Sequence, residues 1–256
     1  MAKDESLNPG LELDLKLGYE AAGASDIGRR RSGNEDAYRL HLEQDALAGN
    51  FVVCDGMGGA AAGELASSIA ADVMLRELDS GTLTAERIQQ AVSAANANVY
   101  AHSRRDSALA GMGTTLVALG VRGPRGWVAH VGDSRCYRLR GGRLERLTQD
   151  HSLVDEQVRL GLLTPAQAAI SPMRNVITRA VGTAADVLAD IFEIEILAGD
   201  LYLLASDGLT REVSDRRIAE ILQGASPVEK LCEALIAAAN RAGGGDNITC
   251  VLVRVS

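Results

Sequence analysis

Residues 50–67, NFVVCDGMGGAAAGELAS, contain an apolar run, then glycines, then an alanine-rich segment. This order predicts a strand, a tight turn and a helix. Gly56, Gly58 and Ala61 fit the G-x-G-x-x-G/A fingerprint of dinucleotide-binding folds, in which the backbone approaches a pyrophosphate. Asp55 argues against that interpretation, because its carboxylate would lie beside the phosphates. The same carboxylate beside a cation would be well placed at the end of a strand.

The arrangement around Asp55 recurs along the chain. LYLLASDGL ends an apolar run at Asp207, WVAHVGDSR ends one at Asp133, and GGGDNITCVLV places Asp246 just before a strand. Each acidic residue lies next to or near glycine, where a missing Cβ lets backbone carbonyls approach a small ion. A fifth segment, SDIGRRRSGNEDAY, supplies Arg31 together with the acidic residues Glu35 and Asp36.

Carboxylates and a backbone carbonyl are the ligands of a hard cation, which indicates Mg²⁺ or Mn²⁺. Calcium is disfavoured because the EF-hand spacing is absent. Taken singly, each Asp-Gly pair would be interpreted as a turn. Four together are either far apart or neutralised by metal ions, since carboxylates that converge without compensation repel each other.

Bulk properties limit the function further. A net charge of −8 argues against a protein that neutralises nucleic-acid phosphates. The apolar runs are too short for a membrane span and the first ten residues lack a signal-peptide core, so we expect a cytoplasmic protein. The four cysteines show no C-x-x-C pairing, which predicts buried, reduced thiols. The four histidines lack H-x-x-x-H spacing and give little support to a histidine-based metal site.

The secondary-structure pattern favours one domain with helices outside antiparallel sheets. Alternating leucines predict a first strand over 11–17, after a loose tail at 1–10. Amphipathic helices are predicted around Ile88–Val99 and Val228–Ala239. Helix starts are predicted at Ser226, as the N-cap of a capping box with Glu229, and at TPAQ, 164–167. Further strands are predicted at 51–54, 114–120, 127–131, 136–140, 191–197, 201–206 and 248–254, many joined by short turns.

The sequence resembles the metal-dependent serine/threonine protein phosphatases of type 2C, in their bacterial form. The resemblance covers nearly the whole chain, and the ordered set of motifs is far more specific than any one of them. The matching pieces are DIGRRRSGNED, VVCDGMGG, GMGTTLV, HVGDSRCY, LTQDHS, RNVITRAVG, LLASDGL and GGGDNITCVLV.

The resemblance implies an α+β fold: a four-layer α-β-β-α sandwich of two antiparallel sheets flanked by helix pairs, formed by a single catalytic domain over residues 11–256. It implies that Asp55 bridges two Mn²⁺ or Mg²⁺ ions, and that the Gly56 carbonyl binds one of them. The other roles implied are these: Asp207 and Asp246 complete the second ion's site, Asp36 and the supporting Glu35 act through metal-bound water, and Asp133 with Asp207 holds a third, weaker ion.

The implied activity is hydrolysis of phosphoserine and phosphothreonine by direct attack of a metal-bridging hydroxide. Arg31 matches the family's phosphate clamp, a task that suits a planar guanidinium. Two positions depart from the family pattern. Met57 stands where eukaryotic members have a histidine proposed to protonate the leaving group, and Ala60 stands where bacterial members usually have a histidine.

Residues 152–174 correspond to the flap of bacterial members, and we expect a mobile, weakly packed segment that influences substrate choice. The implied partners are phosphorylated proteins, among them a serine/threonine kinase and its substrates, with no nucleic acid or membrane, and the implied state is a monomer. Two alternatives stay open: a nonspecific phosphatase or nuclease with the same two-metal chemistry, and a catalytically silent phosphatase-like regulatory module.

Overall fold

The computed structural model describes residues 17–43, 45, 47–79 and 81–256. The predicted tail at 1–10 and all but Leu17 of the predicted strand 11–17 lie outside these residues. None of the helices in the described part of the chain combines the length and the apolar character that a membrane crossing requires.

Two antiparallel sheets form the centre of the molecule, as predicted. The first has the spatial order β1 (Tyr19–Asp26), β11 (Ile248–Val255), β10 (Leu201–Ala205), β7 (Arg135–Arg140) and β8 (Arg143–Arg146). The second has the order β2 (Asp36–Leu42), β3 (Ala48–Met57), β5 (Leu116–Arg122), β6 (Arg125–Val131) and β9 (Asp190–Glu195), and the short β4 (Gly113–Thr114) pairs with β3.

Helices cover the outer face of each sheet. The second sheet is covered by α1 (Ala60–Asp79) and α2 (Ala85–Arg105), and the first by α6 (Asp215–Leu222) and α7 (Val228–Ala242). Between β8 and β9 lie the short α3 (Leu153–Arg159) and α4 (Pro165–Ala169), while α5 (Asp207–Thr210) follows β10 and a 3₁₀ turn spans Ser107–Leu109. The α-β-β-α sandwich is therefore confirmed.

Strand β3 shows why the fold needs an uninterrupted apolar run. Phe51 and Val53 pack between the two sheets, whereas Val52 and Cys54 face the helix layer of α1 and α2. Because the strand is buried on both faces, period-two alternation disappears and the sequence reads as continuous apolar residues. The four cysteines are all free and buried, as predicted.

One of the two predicted helix starts is wrong. Thr164 and Gln167 form the predicted capping box at α4. At α7, however, Pro227 is the N-cap and no side chain caps the helix. The Pro227 carbonyl accepts the first intrahelical bond from Leu231 N–H at 3.1 Å, so Ser226 lies one residue outside. Its carbonyl instead accepts a bond from Arg254 at 2.6 Å.

Candidate active site

The ends of β2 and β3 bring two of the predicted acidic residues together. Asp36 and Asp55 are direct partners in the β2–β3 ladder, so their side chains lie on the same face of the sheet. The backbone of Asp55 is fixed, because its N–H donates to Thr115 Oγ1 at 2.9 Å and its carbonyl accepts from Thr115 N–H at 2.9 Å. The carboxylate is thus held in place by the main chain and remains available to a ligand.

Three more acidic residues lie at the same end of the sandwich. Asp207 begins α5 directly after β10, and Asp246 lies just before the neighbouring β11. Asp133 lies in the turn between β6 and β7. Asp133 and Asp207 are both buried. The structure therefore places five carboxylates, predicted from widely separated segments, around one point.

Positive charge would stabilise the ionised form of this carboxylate cluster. Burial raises the pKa of Asp55 well above its usual value, and Asp36 and Asp207 raise it further. Burial also raises the pKa of Asp36 to about 7, although the bond from Ser206 opposes the shift, and raises the pKa of Asp133 to about 7. Buried carboxylates this close repel one another when ionised, and cations relieve that repulsion.

The donor atoms fit a hard divalent cation. Asp36 Oδ2 accepts a bond from Ser206 Oγ at 2.7 Å, but Asp36 Oδ1 is buried without a hydrogen-bond partner. Asp207 Oδ1 is likewise buried and unpartnered. A buried carboxylate oxygen without a donor is costly unless a cation binds it. These oxygens, with Asp55 and Asp246, could hold Mg²⁺ or Mn²⁺.

The glycines of the opening motif allow backbone segments to approach each other closely. Gly56 N–H donates to the Glu35 carbonyl at 3.1 Å, and a Cβ on Gly56 would collide with the Gly63 carbonyl. A Cβ on Gly63 would in turn collide with the Glu35 carboxylate. Gly58 and Gly59 turn the chain into α1 with φ of 123° and 94°. This packing, rather than a phosphate cradle, accounts for the glycines.

Arg31 lies at the rim of the carboxylate cluster. Its Nη2 donates to Asp246 Oδ2 at 2.8 Å, and its Nη1 is 3.7 Å from Glu35 Oε1. The side chain remains 46% exposed, so one side of the guanidinium is available to a phosphate group. The loop that carries Arg31 is fixed by Asn247, whose Nδ2 donates to the Ile27 and Gly33 carbonyls at 2.9 Å each.

Sequence reasoning missed Arg211, a residue that contacts two of the acidic residues. Its Nη2 is 2.9 Å from Asp133 Oδ2 and 2.5 Å from Asp207 Oδ2. The i, i+4 spacing from Asp207 could have indicated the second contact. The first depends on the fold, which brings Asp133 close from 78 residues away.

The structure also gathers two histidines that the sequence spacing does not connect. Ligand atoms of His130, His151 and Asp190 all lie within 4.8 Å of one another, a grouping that could hold a metal ion. His151 Nδ1 accepts from Gly132 N–H at 3.0 Å, so the ring proton lies on Nε2, which is 3.1 Å from Asp190 Oδ2. A metal at Nε2 would have to displace this proton. We therefore interpret His151 as an anchor for the turn that carries Asp133.

Comparison with known proteins agrees with this geometry. The profile of the family described as "Protein phosphatase 2C" matches residues 22–252. The protein phosphatase PhpP of Streptococcus pneumoniae is 35% identical over 237 residues, which cover 91% of this chain and 96% of PhpP. The serine/threonine protein phosphatase PstP of Mycobacterium tuberculosis is 41% identical over 245 residues, which cover 95% of this chain and 46% of PstP.

Solved structures agree as well. The serine/threonine phosphatase Stp1 of Staphylococcus aureus has a TM-score of 0.87 at 33% identity, over 97% of this chain and all of that one (100%). The catalytic domain of PstP in complex with 2 manganese ions has a TM-score of 0.83 at 36% identity, over 93% of this chain and 99% of that one.

The chain belongs to the protein phosphatase 2C family, the metal-dependent serine/threonine protein phosphatases, in its bacterial form. It is an enzyme of that class, a phosphoric monoester hydrolase acting on proteins.

Proposed function

We propose that the protein hydrolyses phosphoserine and phosphothreonine in other proteins with the help of two Mn²⁺ or Mg²⁺ ions. The observation that carries this proposal is the pair of buried, unpartnered oxygens on Asp36 and Asp207, which lie in a cluster of carboxylates beside the half-exposed Arg31. When bound, two such ions would supply an activated water for direct attack on phosphorus, a chemistry that needs no phosphoenzyme.

Each predicted residue has a proposed role in this site. Asp55 would contact both ions, because Asp36, Asp207, Asp133 and Asp246 all lie close enough to raise its pKa. The remaining roles follow the family pattern: the Gly56 carbonyl would bind one ion, Asp207 and Asp246 would hold the other, and Asp36 and Glu35 would act through ordered water. Asp133 and Asp207 are the predicted holders of a third, weaker ion.

Arg31 is proposed to bind the substrate phosphate. Its contact with Asp246 fixes the guanidinium at the edge of the carboxylate cluster, where two N–H groups can reach two phosphate oxygens. The bond from Asp246 also raises the pKa of Arg31, so the group is cationic at every working pH.

Several finer predictions rest on the sequence and the family. We propose that residues 11–256 form one catalytic domain and that the substrates include a serine/threonine kinase and its targets. The cytoplasmic location, the monomeric state and the role of the flap in substrate choice remain predictions.

The test is phosphate release from a phosphothreonine peptide in Mn²⁺, in Mg²⁺ and in chelator. We expect turnover with either ion and none in chelator. A protein that binds the peptide without turnover in any metal would be the silent regulatory module. Cleavage of DNA under the same conditions would favour the nuclease alternative, which the net charge of −8 opposes.

A further inference from the structure

Arg211 contacts the two carboxylates that the family pattern assigns to a third metal ion. Its Nη2 donates to Asp133 Oδ2 at 2.9 Å and lies 2.5 Å from Asp207 Oδ2. The two oxygens of Asp207 are thus divided: Oδ2 faces the guanidinium, whereas Oδ1 is buried without a partner and remains for the core site. Arg211 therefore approaches the outer oxygens of this pair and leaves the inner one available.

The position of Arg211 is set by the fold around it. The residue ends α5, and its N–H bonds to the Asp207 carbonyl at 2.8 Å. Helix α5 cannot shift toward β11, because Gly208 lies so close to the Asn247 carbonyl that an added Cβ would collide with it. Because Asp207 and Arg211 are four residues apart, their side chains lie on the same face of α5, and the guanidinium lies beside Asp207 whenever α5 is formed.

A guanidinium and a divalent cation compete for these oxygens. Arg211 Nη2 contacts Oδ2 of Asp133 and Oδ2 of Asp207, and a divalent cation bound to the same two oxygens would be repelled by the positive guanidinium beside it. The guanidinium is part of the chain, so it loses no translational freedom when it binds the two aspartates.

We propose that Arg211 is an internal cation that replaces the third metal ion between Asp133 and Asp207, so that the enzyme works with two bound ions. This inference rests on the proposed two-ion centre at Asp55. A third ion binds only when the guanidinium leaves the two aspartates. The cavity of about 500 Å³ beside Arg211, lined also by Val154 and Ala168, gives the displaced side chain space to move.

The experiment counts bound Mn²⁺ by calorimetric titration and by electron paramagnetic resonance of free Mn²⁺. Wild type should bind two ions and show no third below millimolar concentration. Arg211→Gln, which removes the charge and shortens the side chain but keeps it polar, should bind a third ion at least about tenfold more tightly than wild type. Arg211→Lys should behave like wild type. The matched control is Arg217→Gln, an exposed arginine of α6 that pairs with Glu220.

A second substitution tests where the third ion binds. Adding Asp133→Asn to Arg211→Gln should abolish the gained ion, whereas Asp133→Asn alone should leave the two-ion count unchanged. Metal-free Arg211→Gln should also melt below wild type and gain more from Mn²⁺, because it lacks the cation between two buried carboxylates. This measurement shows whether the variant folds.

The outcomes separate the two proposals. The role of Arg211 would be overturned if wild type and Arg211→Gln bound a third ion equally tightly. It would also be overturned if Asp133→Asn did not remove the third ion gained by Arg211→Gln. Neither result would affect the proposed two-ion centre. A wild type that binds no Mn²⁺ at all would overturn the two-ion centre and, with it, this inference.

Discussion

The carboxylate centre and the flap lie on opposite sides of one cavity of about 500 Å³, and they are built in opposite ways. The centre is formed at strand ends by the partly buried Asp55 and the buried Asp207, and bonds between distant segments fix the backbone there. The flap consists of the short helices α3 and α4 and their connections. Several of its apolar side chains point to solvent, with Leu160 73% and Ile170 82% exposed, although Val154 is buried.

We propose that this difference separates two tasks of the enzyme, catalysis in the centre and substrate binding at the flap. A catalytic centre must hold its groups within a fraction of an ångström, which buried, cross-strand bonds achieve. A surface that admits varied protein substrates gains from exposed apolar side chains on a locally bonded segment. We infer that substitutions in the centre change the rate of the chemical step, whereas substitutions in the flap change substrate binding.

The largest expected effect comes from the centre. Asp55→Ala should lower kcat by at least about a thousandfold, because the residue proposed to contact both ions is lost. Its melting temperature without metal should not fall, since removal of one buried charge relieves the repulsion among the others. The measurements are phosphopeptide turnover and metal-free melting, with Asp186→Ala, in an exposed loop, as the control. A folded Asp55→Ala protein with near-normal turnover would contradict the two-ion site.

The same contrast explains which features of the fold the sequence could predict. Strand β3 was predictable because burial on both faces leaves a continuous apolar run. Strand β1 was not, because YEAAGASD holds small residues that pack through tertiary contacts: Gly23 receives the Tyr38 ring where any Cβ would collide. Strand β2 is only partly buried and carries a weak alternation.

The site could be predicted as far as its motifs reach. The aspartates and Arg31 stand in recognisable local patterns, and the structure brings them together. Arg211 contacts Asp133, and His151 contacts Asp190. The two residues of each pair are far apart in sequence, and their spacing matches no known motif, so these contacts could not be predicted. The position of the flap's α4 was predictable because its capping box is local.

A smaller loss is expected at the rim of the centre. Arg31→Ala should raise KM for a phosphothreonine peptide by at least as large a factor as it lowers kcat, because the guanidinium is proposed to bind phosphate before and during the reaction. The lost charged hydrogen bonds are worth about 1.5 to 3 kcal/mol in kcat/KM. Arg31→Lys should restore part of this, and the exposed neighbour Arg30→Ala is the control. A fall in kcat with unchanged KM would instead assign Arg31 to holding Asp246.

The flap should show the opposite pattern. Leu162→Ser with Ile170→Ser removes two exposed apolar side chains, 67% and 82% exposed, without touching the carboxylates. If a substrate protein buries about one CH₂ group of each side chain, worth about 0.8 kcal/mol apiece, KM for a phosphoprotein should rise by about tenfold. Turnover of p-nitrophenyl phosphate should stay unchanged, because that substrate is too small to reach the flap. Equal losses on both substrates would mean that the flap shapes the centre itself.

The smallest expected effect concerns the boundary between the two regions, where His130 is buried beside His151 below the Asp133 turn. Burial lowers the pKa of His130 to about 3, from an ordinary 6.5, and His151 lowers it further. At a pH between about 3 and 6.5, His130 is protonated in the unfolded chain but neutral in the folded protein. The stability that this group contributes is therefore complete above pH 6.5 and is lost as the pH falls toward about 3.

His130→Leu removes the contribution of His130 to the pH dependence of stability. The carboxylates that titrate are the same in wild type and in His130→Leu, so the difference between the two plots of melting temperature against pH is due to His130. The wild-type melting temperature should fall relative to His130→Leu by about 4 to 8 °C between pH 7 and pH 5. Any constant difference from repacking has no effect on that slope. The exposed His102→Gln is the control for loss of a histidine. Parallel plots for wild type and His130→Leu would mean that His130 accepts a proton in the folded protein as readily as in the unfolded chain. The space around His130 would then be open to water, as the surface of the flap is.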